Sequence, residues 1–133
     1  MSLVKLLPAW FHAVADYAVG ILLIVVALAN DGSSGAVATG VVVGAVVLIV
    51  SALTRYPLGI VKVLPFKIHS AGDYLAAVLL IAAPFVLNFA DAETGIAIFY
   101  VAMGLAVLAV SLVTNYQYNP NRQAHRGAAP ATA

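Results

Sequence analysis

A short motif that combines histidine, aspartate and tyrosine occurs twice in the chain. In each copy a proline is followed four residues later by histidine, then four residues later by aspartate, with tyrosine directly after it. The copies consist of Pro8, His12, Asp16 and Tyr17, and of Pro65, His69, Asp73 and Tyr74. Because four residues make about one turn of an α-helix, each histidine shares a helix face with its aspartate.

Imidazole and carboxylate groups at this spacing are compatible with several kinds of site. The leading hypothesis is a polar cluster in which His12, Asp16, His69 and Asp73, with the Tyr17 and Tyr74 hydroxyls, hydrogen-bond and fix helix packing. The alternatives are a proton or ion path and a metal site. Two histidines and two aspartates supply four nitrogen and oxygen ligands, a set that suits Zn or Fe.

Haem ligation by both histidines is less favoured. The two histidines are expected at one depth near the membrane surface, and no methionine or cysteine contributes a ligand there. The sequence therefore favours a protein without a cofactor, with zinc or iron as the alternative. Arg55 is a candidate partner for either aspartate, although an arginine at a helix end also commonly anchors in lipid headgroups.

The composition places these residues in a membrane protein. Hydrophobic residues make up 64% of the chain and charged residues 8%, whereas about a quarter of the residues of soluble domains are charged. The net charge of +1 and the absence of cysteine exclude a nucleic-acid-binding surface, a disulfide framework and a thiolate site. No hydrolase motif occurs, and a non-enzymatic protein is predicted.

Four apolar segments are each long enough to cross a bilayer, which takes about 20 helical residues. They cover approximately residues 10–29, 36–54, 68–89 and 95–114. Their apolar character is continuous and does not alternate, so helices are predicted and a barrel is not. The predicted fold is an all-α, four-helix transmembrane bundle.

The two halves of the chain repeat one another. The motif residues and Leu22–Ile24 recur in the second half of the chain at one constant spacing in residue number. At a slightly larger spacing, Gly44, Ser51 and Thr54 recur as Gly104, Ser111 and Thr114. The sequence therefore predicts a tandem duplication of a two-helix unit, with units at 1–56 and 57–116 and a disordered cytoplasmic tail at 117–133. Two parallel units predict a pseudo-two-fold axis along the membrane normal. The repeated Ser and Thr side chains are expected to hydrogen-bond a carbonyl one turn back.

Loop charges predict the orientation. All six lysines and arginines fall at the termini or in the middle loop, and Asp31, Asp91 and Glu93 fall in the other two loops. The positive-inside rule then places both termini and the His-Asp motifs on the cytoplasmic side of a bacterial inner membrane. Trp10 and Tyr56 are expected near the cytoplasmic headgroups.

Small residues predict which helix faces pack together. The motif face continues as Gly20 and Ala27 in the first span and as Ala77 and Pro84 in the third, which places the motifs inside the bundle. Gly40 and Gly44 form a G-x-x-x-G pattern in the second span. This pattern predicts either packing within the chain or a homodimer; the lipid bilayer is the other expected partner.

The paired spans and the segment Ala82–Phe89, which closes the third span, resemble the SPW-repeat family of small bacterial membrane proteins. Ala83-Pro84-Phe85 stands where that family has Ser-Pro-Trp. The resemblance implies a bacterial inner-membrane protein without an assigned activity. The sequence as a whole thus predicts a structural or accessory membrane protein, with binding or transport of a metal, proton or small ligand as the alternative.

Overall fold

The computed structural model describes residues 5–114, and this part of the chain is all-α. It contains four helices: α1 (Ala9–Ala29), α2 (Ser34–Leu53), α3 (Phe66–Val86) and α4 (Thr94–Val113). The predicted all-α, four-helix fold is confirmed. The predicted tail, residues 117–133, lies outside the described residues.

All four helices are long and apolar enough to cross a membrane. Their outer faces carry large exposed apolar side chains, among them Val25, Ile49, Val78 and Ile98. A helix satisfies its own backbone hydrogen bonds, which a lipid environment requires. The four helices therefore fit a multi-pass membrane protein.

The helices associate in two consecutive pairs, α1 with α2 and α3 with α4. Glycine allows the backbones in each pair to approach closely. A Cβ atom on Gly44 would lie 2.8 Å from the Gly20 carbonyl oxygen, and one on Gly104 would lie 2.9 Å from the Ala77 carbonyl oxygen. Gly44 and Gly104 are equivalent in the repeat, so the pairing is consistent with two two-helix units.

The predicted packing faces lie inside the bundle. Gly20, Ala27, Ala77 and Pro84 are all buried. Gly40 and Gly44 also pack within the chain, since a Cβ atom on Gly40 would lie 2.5 Å from the Ala27 Cβ. Packing within the chain is thus observed for the G-x-x-x-G pattern, and the homodimer stays a prediction.

At the end of the bundle away from the motifs, two short connections hold the pairs together. Ser33 caps α2 by accepting a hydrogen bond from the Ala36 amide at 3.3 Å. The Glu93 carboxylate accepts from the Ser33 amide at 2.8 Å and from the Ser33 hydroxyl at 2.5 Å. α3 ends at Val86, and Asn88 adopts a left-handed conformation with φ of 58°. Asparagine tolerates that conformation at a helix end.

At the motif end, two short lead-in segments, residues 5–8 and 62–65, cross the ends of α4 and α2. The Leu6 and Leu7 amides donate to the Val113 carbonyl, and the Val63 and Leu64 amides donate to the Leu53 carbonyl. These two sets of hydrogen bonds join equivalent residues of the repeat. The lead-in segment of the first motif therefore holds the end of α4, and the lead-in segment of the second motif holds the end of α2.

Candidate functional site

Both His-Asp motifs meet in the interior of the bundle. His12 and Asp16 lie in the first two turns of α1, and His69 and Asp73 lie in the first two turns of α3. The four residues are 1%, 7%, 2% and 7% exposed, in that order. The sequence prediction that the duplicated motif forms one cluster matches this arrangement.

Each histidine contacts both aspartates through Nε2. His12 Nε2 lies 3.3 Å from Asp16 Oδ1 and 2.9 Å from Asp73 Oδ2. His69 Nε2 lies 3.0 Å from Asp16 Oδ2 and 3.0 Å from Asp73 Oδ1. Histidine nitrogens and carboxylate groups thus alternate around a small closed ring, and each carboxylate uses both of its oxygens.

The other nitrogen of each ring is held by a threonine from the end of a neighbouring helix. His12 Nδ1 lies 2.7 Å from Thr114 Oγ1, and His69 Nδ1 lies 2.7 Å from Thr54 Oγ1. Both hydroxyls donate their single proton to a carbonyl one turn back, Val110 for Thr114 and Val50 for Thr54, at 2.6 Å. The predicted back-bonding is confirmed for these threonines and is wrong for the repeated serines, because the Ser51 and Ser111 hydroxyls make no such hydrogen bond in the part of the chain that the structure describes.

The threonines fix the protonation of the imidazole rings. A threonine hydroxyl carries one hydrogen, and here the helix carbonyl accepts it, so the oxygen can only accept a hydrogen bond from the histidine. Nδ1 of His12 and Nδ1 of His69 therefore carry protons. It follows that in a neutral ring the Nε2 lone pair faces the two carboxylates.

The two Nε2 lone pairs would repel the two carboxylates that they face, so the cluster requires added positive charge. This charge can come from two protons, which would give two imidazolium groups, or from one divalent cation. Either choice brings the net charge of two aspartates and two histidines to zero, which a buried position demands.

The geometry at His69 favours the cation. Its Nε2 is buried and 3.0 Å from a carboxylate oxygen on either side, yet it makes no hydrogen bond of acceptable geometry within the described part of the chain. A single N–H group between two oxygens forms a bent, three-centre hydrogen bond, which is weaker than a linear one. A cation between the four residues, in contrast, accepts ligand atoms from several directions.

The dimensions of the cluster suit a small metal ion. One ligand atom from each of the four residues can be chosen so that all lie within 4.8 Å of one another. Bonds of about 2.0–2.2 Å to a tetrahedral Zn²⁺ place every pair of ligand atoms about 3.3–3.6 Å apart. The observed nitrogen to oxygen distances of 2.9–3.3 Å are close to that spacing, and ligand pairs that lie farther apart must move closer together to bind the ion.

Tyr56, in the loop after α2, is a further member of the site. Its side chain is fully buried, and its hydroxyl donates to Asp16 Oδ2 at 3.1 Å. Burial and the Asp16 carboxylate raise the pKa of the Tyr56 phenol, so the phenol stays a hydrogen-bond donor. The sequence placed Tyr56 near the headgroups and did not assign it to the site; its ring is enclosed in the bundle, where Phe66 packs edge-on against it.

Three predicted site residues lie apart from the ring of His and Asp atoms. The Tyr17 hydroxyl donates to the Leu58 carbonyl at 2.9 Å, and Tyr74 is partly exposed at the equivalent position. Arg55 is exposed, and its Nε donates to the Lys62 carbonyl at 3.2 Å. Among the described residues, the ion pairs of both aspartates are with histidines.

The sequence contains a signal for Thr54, Thr114 and Tyr56, the members of the site that were not predicted. Thr54 and Tyr56 recur at one offset as Thr114 and Tyr116, although Tyr116 lies outside the described residues. Repetition of polar residues beside apolar spans indicates a shared role. What the sequence could not show is that the Thr54 and Thr114 hydroxyls contact the histidine rings.

This site must be interpreted from its own geometry, because no protein-family model, curated protein or solved structure matches the chain.

Proposed function

We propose that the chain is a metal-binding integral membrane protein that holds one divalent transition-metal ion between His12, Asp16, His69 and Asp73. The observation that carries the proposal is the pair of hydrogen bonds from Nδ1 to Thr54 and Thr114. They direct both Nε2 atoms at the two carboxylates. Metal-bound histidines in proteins typically donate their other N–H to an oxygen in this way.

The charge and type of the ligands select the metal. Two neutral imidazoles and two carboxylates carry a charge of −2, which a divalent ion neutralises in a buried site. Nitrogen and oxygen ligands without a thiolate or thioether suit Zn²⁺ or Fe²⁺ better than Cu⁺. The proposal is for binding, without catalytic activity.

A second candidate is the structural cluster that the sequence favoured, with both histidines protonated. The distance of 2.9 Å between His12 Nε2 and Asp73 Oδ2 is that of an ordinary charge-assisted hydrogen bond. In this case the cluster joins α1 to α3 and serves packing alone. The two candidates differ in whether a chelator affects the protein.

Metal content is the direct test. The protein is purified in detergent with an affinity tag that lacks histidine, stripped with a chelator, reloaded with Zn²⁺ or Fe²⁺ and desalted before elemental analysis. We expect about one ion per chain and a higher melting temperature with metal. The double variant Asp16→Asn/Asp73→Asn should lose the ion, because amide oxygens are neutral and weaker ligands.

Ser70→Ala serves as the matched control. Ser70 is a fully buried polar residue of α3 outside the ring of ligands, and its equivalent in the first unit is Ala13. This variant should bind as much metal as the original chain. A helical, monodisperse protein with less than about a tenth of an equivalent of metal, and with a melting temperature indifferent to chelator, would establish the structural candidate instead.

The setting proposed for this site is a bacterial inner membrane, with the lead-in segments and both termini in the cytoplasm. The distribution of lysine and arginine supports it, and so does the resemblance to SPW-repeat proteins. The cluster then lies in the cytoplasmic half of the bundle, within reach of the cell's exchangeable metal pool.

A further inference from the structure

A cavity of about 40 Å³ lies beside the cluster, between α1 and α4. His12 and Asp16 form part of its wall, and Ser111 lines it from α4. The rest of the wall is apolar: Ala15, Val19, Ala106, Val107 and Val110. A buried site for one water molecule needs about 10–15 Å³. The cavity therefore has room for a molecule of two or three non-hydrogen atoms.

Ser111 is the unusual group in this wall. Its side chain is fully buried, and its hydroxyl has no hydrogen-bond partner in the described part of the chain. A buried hydroxyl left without a partner destabilises a fold, because it loses its hydrogen bonds to water without replacement. A fold that keeps such a group next to two metal-ligand candidates provides a donor for a molecule in the cavity.

From this arrangement we propose that the cavity binds a small, uncharged exogenous ligand that coordinates the metal and accepts a hydrogen bond from Ser111. The proposal rests on the metal site proposed above. It adds that a ligand from outside the chain reaches the metal through the cavity between α1 and α4. Four protein ligands complete a tetrahedral zinc site, whereas Fe²⁺ accepts more than four ligands and so leaves a coordination position for an external molecule.

The charge of the site and the size of the cavity define the class of ligand. With a divalent ion bound, the four residues and the metal are neutral together. An anion would bring an unbalanced charge into a wall made mostly of alanine and valine, which is costly. Water and neutral diatomic molecules such as nitric oxide satisfy both the charge and the volume.

The test uses Fe²⁺-loaded protein in detergent, with nitric oxide as the neutral probe and azide as the anionic probe. We expect nitric oxide to change the absorption and electron paramagnetic resonance spectra, with azide at the same concentration changing them far less. Val107→Phe fills the cavity and should abolish the nitric oxide response while about one iron per chain is retained. Ser111→Ala should weaken nitric oxide binding by about 5–10-fold, the effect of losing one hydrogen bond of about 1–1.4 kcal/mol.

The controls separate this proposal from the metal site itself. Val46→Phe introduces the same ring at an exposed position of α2, and Ser70→Ala removes a buried hydroxyl that does not line the cavity; both should respond to nitric oxide as the original chain does. A chain that binds iron but ignores nitric oxide, or a Val107→Phe variant that responds normally, overturns the exogenous-ligand proposal and leaves the metal site standing. A chain that binds no iron overturns the metal site first.

Discussion

Thr54 and Thr114 each have a single hydroxyl proton, and its destination determines what the two histidines can do. Because the proton goes to Val50 or Val110, the oxygen is left as an acceptor for Nδ1. The threonines thereby hold each ring in the orientation in which Nε2 meets the carboxylates. In the proposed metal site they would orient the histidine ligands without contacting the ion.

Replacing these threonines should therefore weaken metal binding while sparing the ligands. For Thr54→Val/Thr114→Val we expect a 10–100-fold higher dissociation constant for Zn²⁺, the usual effect of losing an outer-shell partner. At saturating zinc the variant should still bind about one ion per chain. Competition with a chromophoric chelator measures the dissociation constant.

Thr39→Val is the matched control for this prediction. The Thr39 hydroxyl donates to the Gly35 carbonyl at 2.7 Å, in the same way that Thr54 and Thr114 donate to a carbonyl one turn back. The histidine Nδ1 atoms, however, are bound by Thr54 and Thr114. It should leave zinc affinity unchanged. If the control and the double variant lost zinc affinity equally, the threonines would act through helix geometry and not through the histidine rings.

A residue could be assigned to the site from the sequence only where local spacing or the repeat determines its position. The spacing of His12 and Asp16 along one helix is local, and the repeat brings His69 and Asp73 to the same depth, so all four were predictable. Tyr56 was not, because its position depends on how the loop after α2 folds back under Phe66. Arg55 was considered because helix ends lie close together, yet its side chain extends outward to the Lys62 carbonyl.

At the scale of the helices, the two units differ where they meet in the core. Gly40 and Tyr100 occupy equivalent positions in α2 and α4. The Tyr100 ring is fully buried, and its hydroxyl donates to the Ala36 carbonyl at 2.5 Å. Glycine in one unit thus makes room for the large side chain of the other, which an exact repeat would not allow.

Adding even a methyl group at Gly40 should destabilise the bundle. Its Cβ would lie 2.7 Å from the Leu23 carbonyl oxygen, within van der Waals overlap of the α1 backbone, in addition to its contacts with Ala27 and Tyr100. For Gly40→Ala we expect a loss of about 1–3 kcal/mol in the free energy of unfolding, as for overpacked cores. Denaturant titration of the detergent-solubilised protein, followed by circular dichroism, measures it.

Gly72→Ala is the opposite case on α3. A Cβ atom there meets nothing within 4 Å, and the equivalent residue of the first unit is Ala15. This variant should be neutral or gain up to about 1 kcal/mol from helix propensity. If Gly40→Ala proved as stable as Gly72→Ala, close packing of α2 on α1 would not be needed for folding.

The lengths of the helices were predictable because each span is a continuous apolar run bounded by polar residues. The predicted start of the first span at residue 10 and its end at residue 29 agree with α1 (Ala9–Ala29). The third span was predicted to end at residue 89, but α3 ends at Val86. Hydrophobicity continues through Leu87 and Phe89, whereas the backbone turns at Asn88, whose positive φ no hydropathy pattern specifies.

For the whole molecule, function depends on which compartment the proposed metal site faces. The His and Asp cluster lies at the end of the bundle that carries the lead-in segments, with Lys62 in the second segment and Lys67 at the start of α3. The opposite end carries Asp31, Asp91 and Glu93. Basic loops are retained in the cytoplasm, so metal should enter from the cytoplasm and not from outside the cell.

Because the natural chain lacks cysteine, single cysteines can report its orientation. Lys62→Cys marks the basic end, and Ala92→Cys, an exposed position between α3 and α4, marks the other. In intact bacteria whose outer membrane has been made permeable, an impermeant maleimide should label Ala92→Cys and leave Lys62→Cys unmodified. After the inner membrane is broken, both should react. The reverse pattern would place the site on the periplasmic side, and labelling of both in intact cells would indicate two orientations of the chain; either result would contradict cytoplasmic loading of the metal.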